Sequence, residues 1–354
     1  MARYGSKLVA ALGLLFVVFT FALAQGQTNS YYQGKTLRIL VGSAPGAGND
    51  LRTRLFARHV VKHLPGSPQT IVQNMSGGGG TRARNYLYNL AKPDGLTIAE
   101  IIRGTAFEEA VGLPTVKYKA ARFNWIGNMT TGAPVCTARI DRAGETLEAA
   151  IKLSKQRQLR DAESGVANAS AAIARLVKQF TGLNLVVVPG YGGGAAMDLA
   201  MQRGEADMRC GLVWSSAKAR HADWYKRLGS KKPFAAVLVQ TAPSRYADLS
   251  DVPTLMELAP DPDWKQVAEV ITLTYQNAYP VLAPPGVRPE IVKLLRDAFW
   301  ATMQDPQYKS EGIKTGFVDD EPMPGDKVQE LVKRIVDMPA EVKSRLNEVM
   351  PKIK

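Results

Sequence analysis

Lys35-Thr36-Leu37-Arg38-Ile39-Leu40-Val41 runs directly into Gly42-Ser43-Ala44-Pro45-Gly46-Ala47-Gly48-Asn49-Asp50, and this junction decides the fold. The first seven residues are a β-rich run bounded by glycine. Beyond the turn, Leu51, Leu55, Val60 and Leu64 fall on roughly one face of a helix that Pro65-Gly66 stops. The same order then recurs. Thr70 to Gln73 reads as a strand, Ser76 to Thr81 as a glycine loop, and Arg82 to Ala91 as a helix with Ala83, Leu87 and Leu90 inward. Pro93-Asp94-Gly95 is a turn before a buried strand, Leu96 to Ile102. Further along, a helix from Asn168 to Thr181 closes at Gly182 and a strand spans Leu185 to Val188. Pro189 to Gly194 is a loop, Ala195 to Arg203 a helix, and Ala206 to Val213 a strand. Strands alternating with helices predict a mainly parallel α/β sheet.

The chain has 354 residues, of which 45% are hydrophobic and 22% charged, a globular composition large enough for about two domains. Trp125 to Arg139 and Phe234 to Thr241 read as extended passages between two lobes. The layout expected is a discontinuous first lobe, 31–130 plus 240–354, and an inserted second lobe, 131–239. The net charge of +13 is scattered, without the basic stripe interleaved with aromatics that nucleic acid would call for. It is a general attraction for anions.

Residues 1–24 read as an export signal. Arg3 and Lys7 precede an uncharged, largely apolar run from Leu8 to Ala24, which ends in Ala22-Leu23-Ala24 before Gln25. Cleavage is expected near Ala24, which places the mature chain outside the cytoplasm. Cys136 and Cys210 then face an oxidising space, where one disulfide or two buried thiols are both open.

Each glycine turn ends at a helix start, where unpaired N–H groups and the positive end of the helix dipole point into the bend. Glycine lets a ligand approach that backbone closely. Anions bind such places, and in open α/β sheets they lie at the strand ends. A nucleotide phosphate fails on motif. No glycine loop supplies the Lys-Ser/Thr pair of a P-loop, and Gly42 to Gly48 misses the dinucleotide spacing. Carboxylate is the better candidate.

Gly34 to Val41 followed by Ala44 to Asp50 resembles the opening of the Bug family, the extracytoplasmic solute receptors of tripartite tricarboxylate transporters. Val72-Gln73-Asn74-Met75, Asn85 to Asn89, Pro93-Asp94-Gly95, Gly204 to Asp207, Leu249 to Thr254 and Leu282 to Val287 are similar to the same family, in order along the whole mature chain. The resemblance implies a type II periplasmic binding protein-like fold, with two α/β lobes around a central cleft. It implies carboxylates held by backbone N–H groups from both lobes, often through water. Carried over by position, the first lobe offers Ala44, Pro45, Gly46, Ala47, Gly48 and Asn49, then Gly77, Gly78, Gly79, Gly80 and Thr81, then Gly104 and Thr105. The second offers Ser164, Gly165, Val166, Asn168 and Ser170, then Tyr191, Gly192 and Gly193, with Asp207 at an acidic family position. The second-lobe loop departs from the Gly- and Ser-rich pattern of the family, and Glu163 brings a negative charge beside it.

Single residues carry bland readings too. Asp50 in the first turn of its helix suits the dipole. Asp207 and Arg209 alternate onto one strand face, so a local ion pair competes with a role at the cleft. Arg103 could clamp a carboxylate through two parallel hydrogen bonds. Tyr191 and Trp214 could wall a pocket or simply fill space. His59 and His63 lie four apart without the metalloprotease pattern, which favours a solvated helix face over a metal. No G-x-S-x-G occurs, and no nucleophile–base pair stands out. The expectation is a monomeric, non-enzymatic receptor without cofactor or metal, serving membrane permease subunits. An exported enzyme on the same scaffold, or a ligand sensor for a membrane signalling partner, are the alternatives.

Overall fold

A computed structural model describes residues 30–350, apart from 102, 167 and 318–320. The segment read as an export signal lies outside the described residues. Among the described residues no helix is long and apolar enough to cross a membrane.

Two sheets organise the chain. The first holds β1 (Thr36–Val41), β2 (Gln69–Asn74), β3 (Thr97–Glu100), β4 (Asn124–Asn128), β10 (Pro280–Ala283) and β11 (Met323–Pro324), in the order β11-β4-β10-β3-β1-β2. The second holds β5 (Pro134–Arg139), β6 (Leu159–Ala162), β7 (Leu185–Val188), β8 (Met208–Val213) and β9 (Ala235–Gln240), in the order β7-β6-β8-β5-β9. Each sheet with its covering helices forms one α/β lobe.

The glycine-turn repeats produce the parallel parts. β1 pairs in parallel with β2 and β3, and β6 with β7 and β8. The strands next to the crossings differ from the expected parallel pattern: β10 is antiparallel to β3 and β4, and β5 to β8 and β9. β5 follows β4 of the other sheet with no helix between them, whereas β10 is entered from helix Pro262–Gln276. The segment 234–241 is thus more than a passage, because β9 is the edge strand of the second sheet. Cys136 and Cys210 form a disulfide between neighbouring β5 and β8, which settles the question the sequence left open.

Alternation along β1 splits the first core between two faces. Leu37 and Ile39 join Leu55, Phe56 and Val60 of helix Gly48–Val60, while Leu40 meets Ala83 and Leu87 of helix Thr81–Asn89. Leu51 and Leu90, expected inward, are exposed, since they sit at the start of one helix and past the end of the other. Helix Pro262–Gln276 ties the halves together. Its Val267, Ile271 and Tyr275 belong to one apolar cluster that includes Ala99 and Leu282 of the first sheet and Ala138 and Met208 of the second.

The histidines correct another expectation. His59 is buried, with its two ring nitrogens 3.5 Å from Asp305 Oδ2 and 3.4 Å from Glu311 Oε1. His63 Nε2 lies 3.3 Å from the same Asp305 oxygen. Helix Pro306–Thr315, distant in sequence, covers the face that looked solvated. Among the described residues, no group of His, Cys, Asp and Glu is arranged to hold a metal ion.

Candidate functional site

Three loops leave the carboxyl ends of β1, β2 and β3, and the packing brings them together. A Cβ on Gly42 would lie 3.1 Å from the Gly80 Cα, and Cβ atoms on Gly42 and Gly80 would both meet the Ile101 side chain. In the first loop, Asp50 accepts hydrogen bonds from Gly46 N (2.8 Å) and Asn74 Nδ2 (2.9 Å), and Asn74 Nδ2 also reaches Ser43 O (3.0 Å). Desolvation opposes the Asp50 carboxylate, but the hydrogen bonds from Arg54, Gly46 and Asn74 outweigh it and hold its pKa below the ordinary value. Asp50 therefore fixes the loop, and it occupies the Gly46 N–H that a ligand would otherwise use.

The second loop depends on glycine throughout. Gly77, Gly78, Gly79 and Gly80 have φ of +132°, +57°, +63° and +93°, values that side chains with a Cβ rarely adopt. Thr81 Oγ1 donates to Gly78 O (2.7 Å) and Arg84 Nη2 to Gly79 O (3.3 Å), which turns these carbonyls inward. Gly78 and Gly79 open a 3₁₀ turn, so their N–H groups precede any intrahelical acceptor. Arg84 is fully buried. It pairs with Glu108 at 2.5 Å and reaches Arg103 O at 3.4 Å, so one guanidinium braces the second and third loops. In the third loop, Gly104 (φ +110°) N-caps helix Thr105–Ala110, and Tyr118 Oη holds Thr105 O at 3.1 Å.

Beneath these loops lies Glu100, the last residue of β3. It accepts from Asn49 Nδ2 (3.2 Å) and Thr53 Oγ1 (3.1 Å). Burial pushes its carboxyl up to about 7, against the opposing pull of Thr53, Arg52, Asn49 and Arg103.

The second sheet repeats the arrangement. Glu163 N donates to Val188 O (2.9 Å) and Tyr191 N to Glu163 O (3.2 Å), which joins the loops after β6 and β7. Asn168 caps helix Ala169–Thr181 by accepting from Ala171 N (2.8 Å), and its amide donates to Ser164 Oγ (2.9 Å). Ser164 and Val166 are exposed, while Gly165 is half-buried. Ser170 Oγ donates to Glu163 Oε2 at 2.5 Å. Cβ atoms on Gly192 and Gly193 would meet nothing within 4 Å, so this loop borders open space.

Arg103 bridges the lobes. Its guanidinium donates to Gly211 O of β8 (3.3 Å) and lies over Tyr275 and Tyr279, 4.8 and 5.9 Å from their ring centroids. Arg52 stacks over Tyr279 at 4.2 Å. Burial would raise the Tyr279 hydroxyl, but Arg103, Arg52 and Arg220 together draw it below its ordinary value. Gly211 has φ +76°, and a Cβ there would stand 2.4 Å from Ser170 Cβ and 2.6 Å from Tyr275 Oη. Only glycine fits that junction.

Three residues singled out in the sequence stand elsewhere. Asp207 is buried at the start of β8, level with Arg160, and its carboxylate is held by Arg157 (3.1 Å) and Arg160 (3.1 Å). Arg209, its expected partner, pairs instead with Asp198 of helix Gly194–Arg203. Trp214 is core, donating to Asp248 Oδ2 at 2.8 Å and packing edge-on against Tyr225. Sequence reading overlooked Glu100, Gly211, Tyr275 and Tyr279. An acid closing a four-residue buried strand and a glycine inside a hydrophobic one were the available signals.

The model of the tripartite tricarboxylate transporter receptor family matches residues 53–348. A TctC solute-binding protein from Polaromonas is 22% identical, with 90% of this chain and 99% of that one covered at a TM-score of 0.63. MatC from Rhodopseudomonas palustris, solved with bound malate, is 21% identical over 90% of this chain and 99% of its own (TM-score 0.66). A second R. palustris protein, solved with adipate, is 19% identical over 89% and 96% (TM-score 0.66). A comparison with curated protein sequences finds no match. The ordered motifs, the two-sheet architecture and the family match agree: this chain belongs to the family of tripartite tricarboxylate transporter receptors.

Proposed function

We propose that this protein is a periplasmic receptor that captures a small carboxylate between its lobes, closes on it and presents it to a membrane permease. The observation that carries this reading is the convergence of two sets of strand-to-helix glycine loops, one from each sheet, joined by Arg103 and Gly211. Malate and adipate in two proteins of the same fold support a dicarboxylate. On this reading the first-turn N–H groups of Gly78 and Gly79 and the guanidinium of Arg103 receive one carboxylate. Residues 164–170 and 191–193 receive the far end of the ligand. The lobes, 31–130 plus 240–354 and 131–239, rock about the crossing segments between β4 and β5 and between β9 and β10. Closure then follows from the ligand's greater affinity for the closed form.

Titration calorimetry of the protein with di- and tricarboxylates, followed by recovery of the ligand, tests this. Saturable one-to-one binding with the acid recovered unchanged is expected. Turnover of a bound acid would favour an exported enzyme instead, and the absence of binding by any carboxylate would remove the reading.

A further inference from the structure

Asp161 and Glu163 alternate along the end of β6, so their side chains leave the same face of the sheet. Both are buried, and their hydrogen bonds do not fill their capacity. Asp161 Oδ1 accepts from Cys210 N (2.9 Å) and Glu163 Oε2 from Ser170 Oγ (2.5 Å). Among the described residues, Asp161 Oδ2 and Glu163 Oε1 accept nothing. Arg209 acts on both acids and so does Arg175, and each keeps an unpartnered nitrogen, Arg209 Nε and Arg175 Nη1; Asn168 also acts on Glu163, and together they answer part of the charge. A buried carboxylate oxygen without a donor forfeits its hydration with no return.

Glu163 begins the loop that the proposed function assigns to the ligand. Its Ser170 partner abuts Gly211, and the Gly211 carbonyl takes the guanidinium of Arg103. Arg103 acts electrostatically on Glu163, yet it does not supply the missing donor to Oε1. A bare carboxylate held at Arg103 would therefore lie near a second carboxylate whose Oε1 has no donor.

We infer that Glu163 Oε1 accepts a hydrogen bond from the ligand itself, from an ammonium or hydroxyl group adjacent to the carboxylate that Arg103 holds. The receptor accordingly selects amino- and hydroxy-substituted acids over unsubstituted acids of the same length. This specificity rests on the carboxylate-capture reading and narrows it. Burial sets the Glu163 carboxyl at about 7, so a proton and the ligand's donor compete for the same group around neutral pH. Of the two donors, ammonium also complements the charge of an ionised Glu163, so the expected order is amino, then hydroxy, then unsubstituted.

The test is calorimetry with succinate, 2-hydroxysuccinate and 2-aminosuccinate, and with the same three forms of the five- and six-carbon diacids, at pH 6 and pH 8. At the best-fitting length, the amino acid should bind at least about tenfold tighter than the unsubstituted acid at pH 8, the span of one charge-assisted hydrogen bond. That ratio should shrink at pH 6. In Glu163→Gln it should fall to within about threefold. An unsubstituted acid that binds the wild type as tightly as its substituted congeners overturns the inference and leaves carboxylate capture standing. No binding by any of the nine acids defeats both. Should the variant fail to fold, the wild-type order and its pH dependence decide alone.

Discussion

Replacing Glu100 by Gln removes a titrating carboxyl from beneath the first-lobe loops while keeping its shape. Folded Glu100 titrates at about 7 instead of 4.5, because desolvation outweighs the donors around it. The folded protein therefore holds a proton over a range in which the unfolded chain has released it. This contribution to stability is fully present below pH 4.5 and is lost as pH rises through 7. A shift of this size corresponds to about 3 kcal/mol in total, of which about 2.5 kcal/mol is lost between pH 5 and pH 8. Urea unfolding of the wild type and Glu100→Gln, followed by tryptophan fluorescence at half-unit steps, reads the difference directly. The buried pair Asp161 and Glu163 titrates in both proteins and cancels. The stability of the wild type minus that of the variant should fall by about 2.5 kcal/mol across that window. A difference that stays flat with pH would refute the assignment of a neutral, desolvated Glu100.

Gly79→Val places a β-branched residue at φ +63°, where its Cβ meets no neighbour within 4 Å, so the cost is backbone strain of about 1–2 kcal/mol rather than a clash. Ligand affinity should drop more than about tenfold with far-UV circular dichroism nearly unchanged, and an unaltered Kd would exclude this loop as a contact surface. Gly211→Ala drives a methyl group into Ser170 and Tyr275 and should cost about 1–3 kcal/mol of stability as well as ligand affinity. An unshifted thermal midpoint would show that the junction gives way freely. Replacing both Cys136 and Cys210 by Ser opens a link spanning 74 residues and should lower stability by about 2–4 kcal/mol in urea. No change would mean that the unfolded chain gains nothing from release.

The repeats of strand, glycine turn and helix were legible because alternation, glycine and caps are local. β7 spans Leu185–Val188 as read, and helix Ala169–Thr181 lies between its Asn168 cap and Gly182. Strand direction next to the crossings was not legible, since the route of the chain between sheets decides it. His59 looked solvated for a similar reason, as its cover arrives from residues 305–311. Alternation suggested an ion pair between Asp207 and Arg209, but periodicity says nothing of competitors, and Arg157, Arg160 and Asp198 took both. Glu163 stood out only as a departure from the family pattern. Its importance rests on an unfilled oxygen, which no sequence displays.

Hydrogen exchange read by mass spectrometry, with and without a saturating dicarboxylate, tests most directly whether loops from both lobes enclose the ligand. Simultaneous protection of residues 76–81 and 163–170 is the expected result. Protection confined to one lobe, or located away from both loops, would contradict it.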